Sequence, residues 1–297
     1  MVIRNRSKIC LIVSCAIIVI ALLLTLFGRG INLGIDFEGG LSMQYDMKTA
    51  VKSADVSAVL SGMNIASSTV TVQGQDSNEV NIRIKDVAQD DIQKIQADFE
   101  TAIRETYPEA VSIGDVNYVG PVAGATLVRN AVISVLLASA LMLIYIAIRF
   151  DLNSGLAAVF GLLHDVLIML SFMVIFRSVI QMNSSFIAAA LTIVGYSINN
   201  TIVIFDRIRE NAKKMPTIPR EEVTNISIKE SLGRTICTTL TTLITIVALC
   251  ILGVASIREF ALPIIVGILS GVYSANMING YVWAFLEEKR RSRKAKA

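Results

Sequence analysis

His164 and Asp165 stand side by side in the middle of a long apolar run, and Asp165 is the one carboxylate well inside any such run in this chain. An ionisable side chain in hydrocarbon costs at least about 2.5 to 3.5 kcal/mol at mid-helix, so such a group needs a reason to be there. Two reasons are open: a proton-carrying acid, or a structural acid hydrogen-bonded to a neighbouring helix. A second apolar run ends in Tyr196-Ser197-Ile198-Asn199-Asn200-Thr201, where Ser197, Asn200 and Thr201 share one helical face. A third opens at Arg234 and carries Thr238, Thr241 and Thr245 at i+4, i+7 and i+11, a continuous polar stripe. At about 1.5 Å per residue, Asn200 lies roughly 8 Å from the basic end of its run, a depth an Arg234 side chain also reaches. The two stripes are therefore expected to face each other. Arg234 fits a snorkelling anchor as well, and the threonines fit ordinary helix-to-helix hydrogen bonding. Gly267, Gly271 and Ala275 are read as sites of close helix packing.

Other chemistry is not suggested. No G-x-x-x-x-G-K-[ST] loop occurs, His164 is the only histidine, and no Ser/His/Asp or Cys/His arrangement is visible. Cys10, Cys15, Cys237 and Cys250 all lie in apolar runs without metal-ligand spacing. The chain is expected to have no metal, no cofactor and no enzymatic activity of its own.

The elements that must position these groups follow from composition. The chain is 54% hydrophobic and 17% charged, with a mean hydropathy of +0.62, a balance suited to lipid. A hydrocarbon core about 30 Å thick needs roughly 20 apolar helical residues, and six segments satisfy this: 9–27, 127–148, 156–176, 186–205, 235–252 and 260–286. The first is longer than a signal-peptide core, and Gly28-Arg29-Gly30 is no cleavage site, so it reads as a retained anchor. Basic residues gather before the first span (Arg4, Arg6, Lys8), after the second (Arg149), between the fourth and fifth, and at the C-terminus. By the positive-inside rule these segments, with both termini, belong in the cytoplasm. The net charge of +3 thus reads as membrane topology and not as nucleic-acid binding.

Four divisions are expected: 1–27, the N-terminus and first span; 28–126, an extracytoplasmic α+β domain; 127–286, the remaining spans with a cytoplasmic loop at 206–234; and 287–297, a basic tail expected to lack fixed structure and lie near anionic lipid. In the domain, alternation predicts strands at 41–47, 68–73, 79–85 and 111–119, and amphipathic patterning predicts helices at 51–62 and 89–107. That order is the ferredoxin-like split βαβ unit. Gly34, Gly39 and Gly40 are read equally as flexible joints or as tight turns.

At these residues the sequence resembles the SecF family of protein-export membrane proteins, within the resistance-nodulation-division superfamily. The resemblance rests on Gly34-Ile35-Asp36-Phe37-Glu38-Gly39-Gly40, Val119-Gly120-Pro121, Arg149-Phe150-Asp151, His164-Asp165, the stretch Gly195 to Asn211 with Asp206 and Arg207, Arg234-Thr235, and Phe260 with Gly267. It implies a bacterial cytoplasmic membrane subunit partnered by SecD and working with the SecYEG channel. Such a subunit draws exported polypeptide outward after the SecA motor has begun transport, by coupling proton or sodium flow to motion of the external domains. The family's ion pathway includes a carboxylate in the fourth-span motif and an arginine opening the fifth span. Arg234 matches the arginine, whereas Asn200 stands where the family usually has aspartate.

An amide cannot take up and release a proton in the physiological range. Three explanations stay open: SecD supplies the acid, which is favoured because a paired subunit can set its carboxylate against Arg234; Asp165 carries the proton; or the subunit is not ion-coupled. Two other functional classes compete, a small-molecule or lipid exporter and a passive scaffold for emerging polypeptide. Exporters of this superfamily usually have twelve spans and two large external domains in one chain, which weighs against the first.

Overall fold

The computed structural model describes residues 3–65, 67–73, 77–85, 87–113, 116–178, 180–253 and 255–294. The chain divides into two compact units, one of Ile31–Ile133 with Phe176–Ser184, the other of Met1–Gly30, Ser134–Ile175 and Ser185–Ala297.

The smaller unit contains α2 (Ile35–Glu38), β1 (Gly40–Asp46), α3 (Ser53–Gly62), β2 (Ser68–Gln73), β3 (Glu79–Ile84), α4 (Ile92–Thr106), β4 (Val111–Ser112) and β5 (Asn117–Val119). The antiparallel sheet runs β2-β3-β1-β4, with β5 also on β1, which is the strand order of a ferredoxin-like fold. The strand expected at 111–119 is thus two short pieces on one edge of β1. Leu41, Met43 and Tyr45 alternate on the core face, opposite Ile84, Ile82 and Val80, and α3 and α4 cover them with Val56, Leu60, Phe99 and Ile103. Each of these residues is almost wholly removed from water.

The glycine-rich motif closes this unit. Gly39 and Gly40 have φ of 77° and 122°, and a Cβ on Gly40 would stand 2.3 Å from the Ile84 carbonyl oxygen. Gly34 N–H donates to the Met182 carbonyl (2.8 Å), and Asp36 Oδ2 accepts the Ser184 N–H (2.8 Å). The motif is therefore a built turn that also grips the 176–184 segment. Of the two readings open for these glycines, the geometry requires the tight turn at Gly39 and Gly40.

The larger unit is a helix bundle. Among the described residues, six helices are long and apolar enough to cross a membrane. They belong to α1 (Ile3–Leu26), α5 (Pro121–Arg149), α6 (Leu152–Ile175), α7 (Ser184–Lys214), α8 (Arg220–Leu252), and a last helix formed by α9 (Ala255–Ser274), a π-helical turn (Ala275–Asn279) and α10 (Gly280–Lys294). Two expectations need correction. The 206–234 stretch is not a loop but the continuation of α7 and α8, with only 215–219 outside them, because Val223, Ser227 and Ile228 of α8 pack inward beside Ile208 and Asn211 of α7. Helix also continues to Lys294 where an unstructured tail was expected; residues 295–297 lie outside the described residues. Small residues let the helices close: a Cβ on Gly267 would fall 2.4 Å from the Ile193 side chain, and one on Gly271 would fall 3.2 Å from Ser197 Cβ.

Replacing Gly40 by alanine puts a side chain at positive φ and against the Ile84 carbonyl. Gly40→Ala is expected to destabilise the protein by about 2 kcal/mol or more, read as a lowered melting temperature of the detergent-solubilised chain. Gly62→Ala, whose added methyl meets open space, should leave it almost unchanged.

Candidate functional site

Asp165 of α6 is completely buried, and four donors converge on it. Oδ1 lies 2.7 Å from Ser270 Oγ and 3.0 Å from His164 Nδ1; Oδ2 lies 2.5 Å from Ser197 Oγ and 2.9 Å from Ser274 Oγ. Ser270 and Ser274 are one turn apart on α9, so both hydroxyls reach the same carboxylate. Ser197 comes from α7, brought close because Gly271 beside it has no side chain. Three helices thus meet at one carboxyl group.

The network continues through His164. Its Nε2 is 2.8 Å from Ser14 Oγ on α1; Ser14 Oγ is 3.2 Å from the Tyr273 hydroxyl, which donates to the Cys10 carbonyl. Two proton counts satisfy this chain. In one, neutral His164 donates from Nδ1 to an ionised Asp165 and accepts the Ser14 hydroxyl at Nε2. In the other, the His164 and Asp165 pair holds one more proton, Nε2 donates to Ser14, and Ser14 turns its O–H to Tyr273. The two arrangements differ in the direction of the Ser14 O–H.

The sequence-derived candidates do not all gather here. His164, Asp165 and Ser197 do. Asn200 and Thr201 are buried one turn further along α7: Thr201 Oγ1 accepts Asn279 Nδ2 at 2.9 Å, while the Asn200 amide nitrogen finds no acceptor among the described residues. Arg234, Thr238 and Thr241 are exposed on α8, as is Asn199 on α7. The expectation that the Arg234 stripe faces the Ser197, Asn200 and Thr201 stripe is therefore wrong. Thr238 and Thr241 hydroxyls donate to carbonyls of their own helix, at Arg234 (2.9 Å) and Thr238 (2.8 Å). The reason is a competing face of α8: Ser227, Ser231, Thr235 and Thr239, four residues apart, are buried and small enough to let neighbouring helices approach. Tyr196 reaches that side of the helix, its hydroxyl 3.4 Å from Thr239 Oγ1.

Asp206 and Arg207 belong to ion pairs at the basic end of α7, Asp206 with Arg149 (3.5 Å) and Arg209 (3.1 Å), Arg207 with Glu230 (2.7 Å) and Glu210 (2.6 Å). Ser14, Ser270, Tyr273 and Ser274 were missed as site residues. Ser270 and Ser274 at i, i+4 carried a usable signal; Ser14 carried none, since its partner is 150 residues away.

No cluster of three or more His, Cys, Asp or Glu side chains suited to a metal occurs among the described residues. Six helices long and apolar enough to cross a membrane, a fully buried acid bonded by hydroxyls of two neighbouring helices, and a ferredoxin-like domain inserted after the first helix define a polytopic membrane protein. Two family descriptions match it: "SecD/SecF GG Motif" over residues 25–51 and "Protein export membrane protein SecD/SecF, C-terminal" over residues 98–289. The chain belongs to the SecD/SecF family. The protein translocase subunit SecF of Rickettsia typhi is 33% identical over 286 residues, 95% of this chain and 92% of the relative. That of Rhodothermus marinus is 35% identical over 298 residues, 98% of this chain and 94% of the relative. The crystal structure of SecDF, a translocon-associated membrane protein from Thermus thermophilus, superposes with a TM-score of 0.83 at 32% identity, over 96% of this chain. SecDF in its super-membrane-facing form gives 0.67 at 30% identity, over 99% of this chain. The chain spans only 38% and 39% of those two longer proteins.

Asp165→Leu leaves three hydroxyls and an imidazole nitrogen without their buried acceptor, while Asp165→Asn keeps the shape and one acceptor oxygen. The leucine variant is expected to lose about 2 kcal/mol or more of stability and the asparagine variant clearly less, measured by thermal unfolding in detergent.

Proposed function

We propose that this chain is the SecF-type subunit of a bacterial protein translocase, seated in the cytoplasmic membrane with both termini inside, and that it works with a SecD partner at the SecYEG channel. The pair draws polypeptide outward after SecA has started transport, and it uses an ion gradient without catalysing a reaction. The observation that carries the ion-coupled reading is the outward face of α8. Arg234 is exposed there and has no hydrogen-bond or ion-pair partner among the described residues, although no charged residue follows it in the helix over the next 18 positions. A guanidinium at that depth calls for a carboxylate, and Thr238 and Thr241, one and two turns on along the same face of α8, are polar, uncharged and exposed. Asn200 is buried away from it and cannot titrate. The acid that faces Arg234 accordingly comes from SecD, whose own carboxylate exchanges the ion while Arg234 sets its charge state.

A second reading has its own observation: the continuous chain from Asp165 through His164 and Ser14 to Tyr273, in which two proton counts differ in the direction of the Ser14 O–H. The two readings part in a single assay. Preprotein export is followed in inverted vesicles containing this chain with its SecD, with and without a proton gradient. Gradient stimulation should be present in wild type, lost in Arg234→Ala and kept in Asp165→Asn. Loss in Asp165→Asn with the fold intact would transfer the carrier role to the Asp165 and His164 pair. A wild type indifferent to the gradient, with Asn200→Asp gaining dependence, would leave a passive scaffold.

A further inference from the structure

At the basic end of the bundle, where α7, α8 and α10 meet the α5–α6 connection, lies a cleft of about 270 Å³. Phe205, Ile208 and Trp283 give it apolar walls, and Arg209, Lys213, Arg220, Arg290 and Arg291 supply five cations against the two carboxylates of Asp151 and Glu287. Both acids are already engaged. Asp151 accepts Ser154 Oγ at 2.5 Å; Glu287, itself 6% exposed, accepts Asn153 at 2.7 Å and Arg290 at 2.8 Å, with Arg291 at 3.7 Å.

Arg220 is the anomaly. It is 6% exposed, yet its one hydrogen bond among the described residues is from Nη1 to the Ala212 carbonyl at 3.2 Å, and it has no carboxylate partner there. None of its nitrogens is sealed off without a partner, so the uncommitted N–H groups open onto the cleft, and a guanidinium so little exposed is disfavoured without a counter-charge there. Lys213, one helix away on α7, also lacks an acidic partner among the described residues. Four of Arg220's five N–H groups are uncommitted, and a tetrahedral oxyanion satisfies such a fork together with a lysine point charge.

We propose that this cleft binds the phosphate of an anionic phospholipid headgroup. Trp283, the single tryptophan of the chain, and the neighbouring apolar walls mark the level at which membrane-spanning helices leave the hydrocarbon, where tryptophan is favoured and headgroups lie. Leu152, next to Asp151 in the chain and 77% exposed, offers apolar surface at the same helix ends for the start of an acyl chain. Basic pockets between spanning helices select anionic over zwitterionic lipid through this combination. The site is independent of the Asp165 network and of the outward Arg234 face.

Trp283 makes the test direct, because its fluorescence reports on the cleft alone. The full chain, purified in a nonionic detergent, is titrated with phosphatidylglycerol, with phosphatidylcholine of the same acyl chains, and with inorganic phosphate. Phosphatidylglycerol should give a saturable emission change, about ten-fold tighter than phosphatidylcholine and weakened by salt. Arg220→Gln should lower that affinity about ten-fold. Lys213→Ala, a change at an exposed side chain that leaves the buried packing alone, should lower it by a smaller factor and carries the test if Arg220→Gln does not fold. Equal affinity for the two lipids, or phosphatidylglycerol binding unchanged in a folded Arg220→Gln or in Lys213→Ala, overturns the proposal. Inorganic phosphate acting at the same midpoint as phosphatidylglycerol overturns the lipid source and assigns the cleft to a soluble anion.

Discussion

A carboxyl group in the interior of a helix bundle has no water to fall back on, so its hydrogen bonds must come from whichever helices surround it. Asp165 draws Ser197 of α7 and Ser270 and Ser274 of α9 to within hydrogen-bonding distance, and through His164 it reaches Ser14 of α1. Four helices are thereby fixed in both rotation and height, since a turn or a shift of one residue in any of them removes a donor from a buried acceptor. Apolar packing alone is permissive by comparison, because lipid tails are as apolar as leucine and offer little preference between neighbouring registers.

Convergence of this kind needs backbones that come close, and the glycines supply that. Gly271 lies against Ser197, Gly267 against Ile193, Gly161 against the Asn279 amide, and Gly280 against Thr224. In each case a Cβ would meet the neighbour within 3.2 Å. The polar hub and the small residues are one device: the first fixes which helices meet, the second fixes how near. On α8 the buried Ser227, Ser231, Thr235 and Thr239 do the same work, which turns Arg234 and its threonines outward.

Much of this was legible in the sequence, and the parts that were not have a common cause. Hydropathy located six spans because length and composition suffice for that. Alternation located the sheet, because β1 buries Leu41, Met43 and Tyr45 on one side as a period of two requires. His164 and Asp165 stood out because charge inside an apolar run is conspicuous. The face chosen by α8 was not legible, because two stripes of small polar residues run along it and only the positions of its neighbours decide between them. Ser14 and Tyr273 were invisible for a related reason: hydroxyls in a membrane helix are common, and nothing local distinguishes one that meets a histidine from one that returns its hydrogen bond to its own backbone. The continuation of α7 and α8 past the apolar run was missed because charge was read as loop, when Ile208 and Val223 still hold a buried face there.

The π-helical turn at Ala275–Asn279 divides the last helix into two screws that are out of phase. A π turn holds one residue more than an α turn, so everything after it is rotated by about 100° relative to an uninterrupted helix. Ser270 and Ser274 address Asp165 in the first phase; Trp283 and Glu287 line the basic cleft in the second. A helical wheel drawn through 260–286 as one element would assign the residues of α10 to the wrong neighbours. The single added residue is what lets one continuous span serve a buried acid at its middle and a charged cleft at its end.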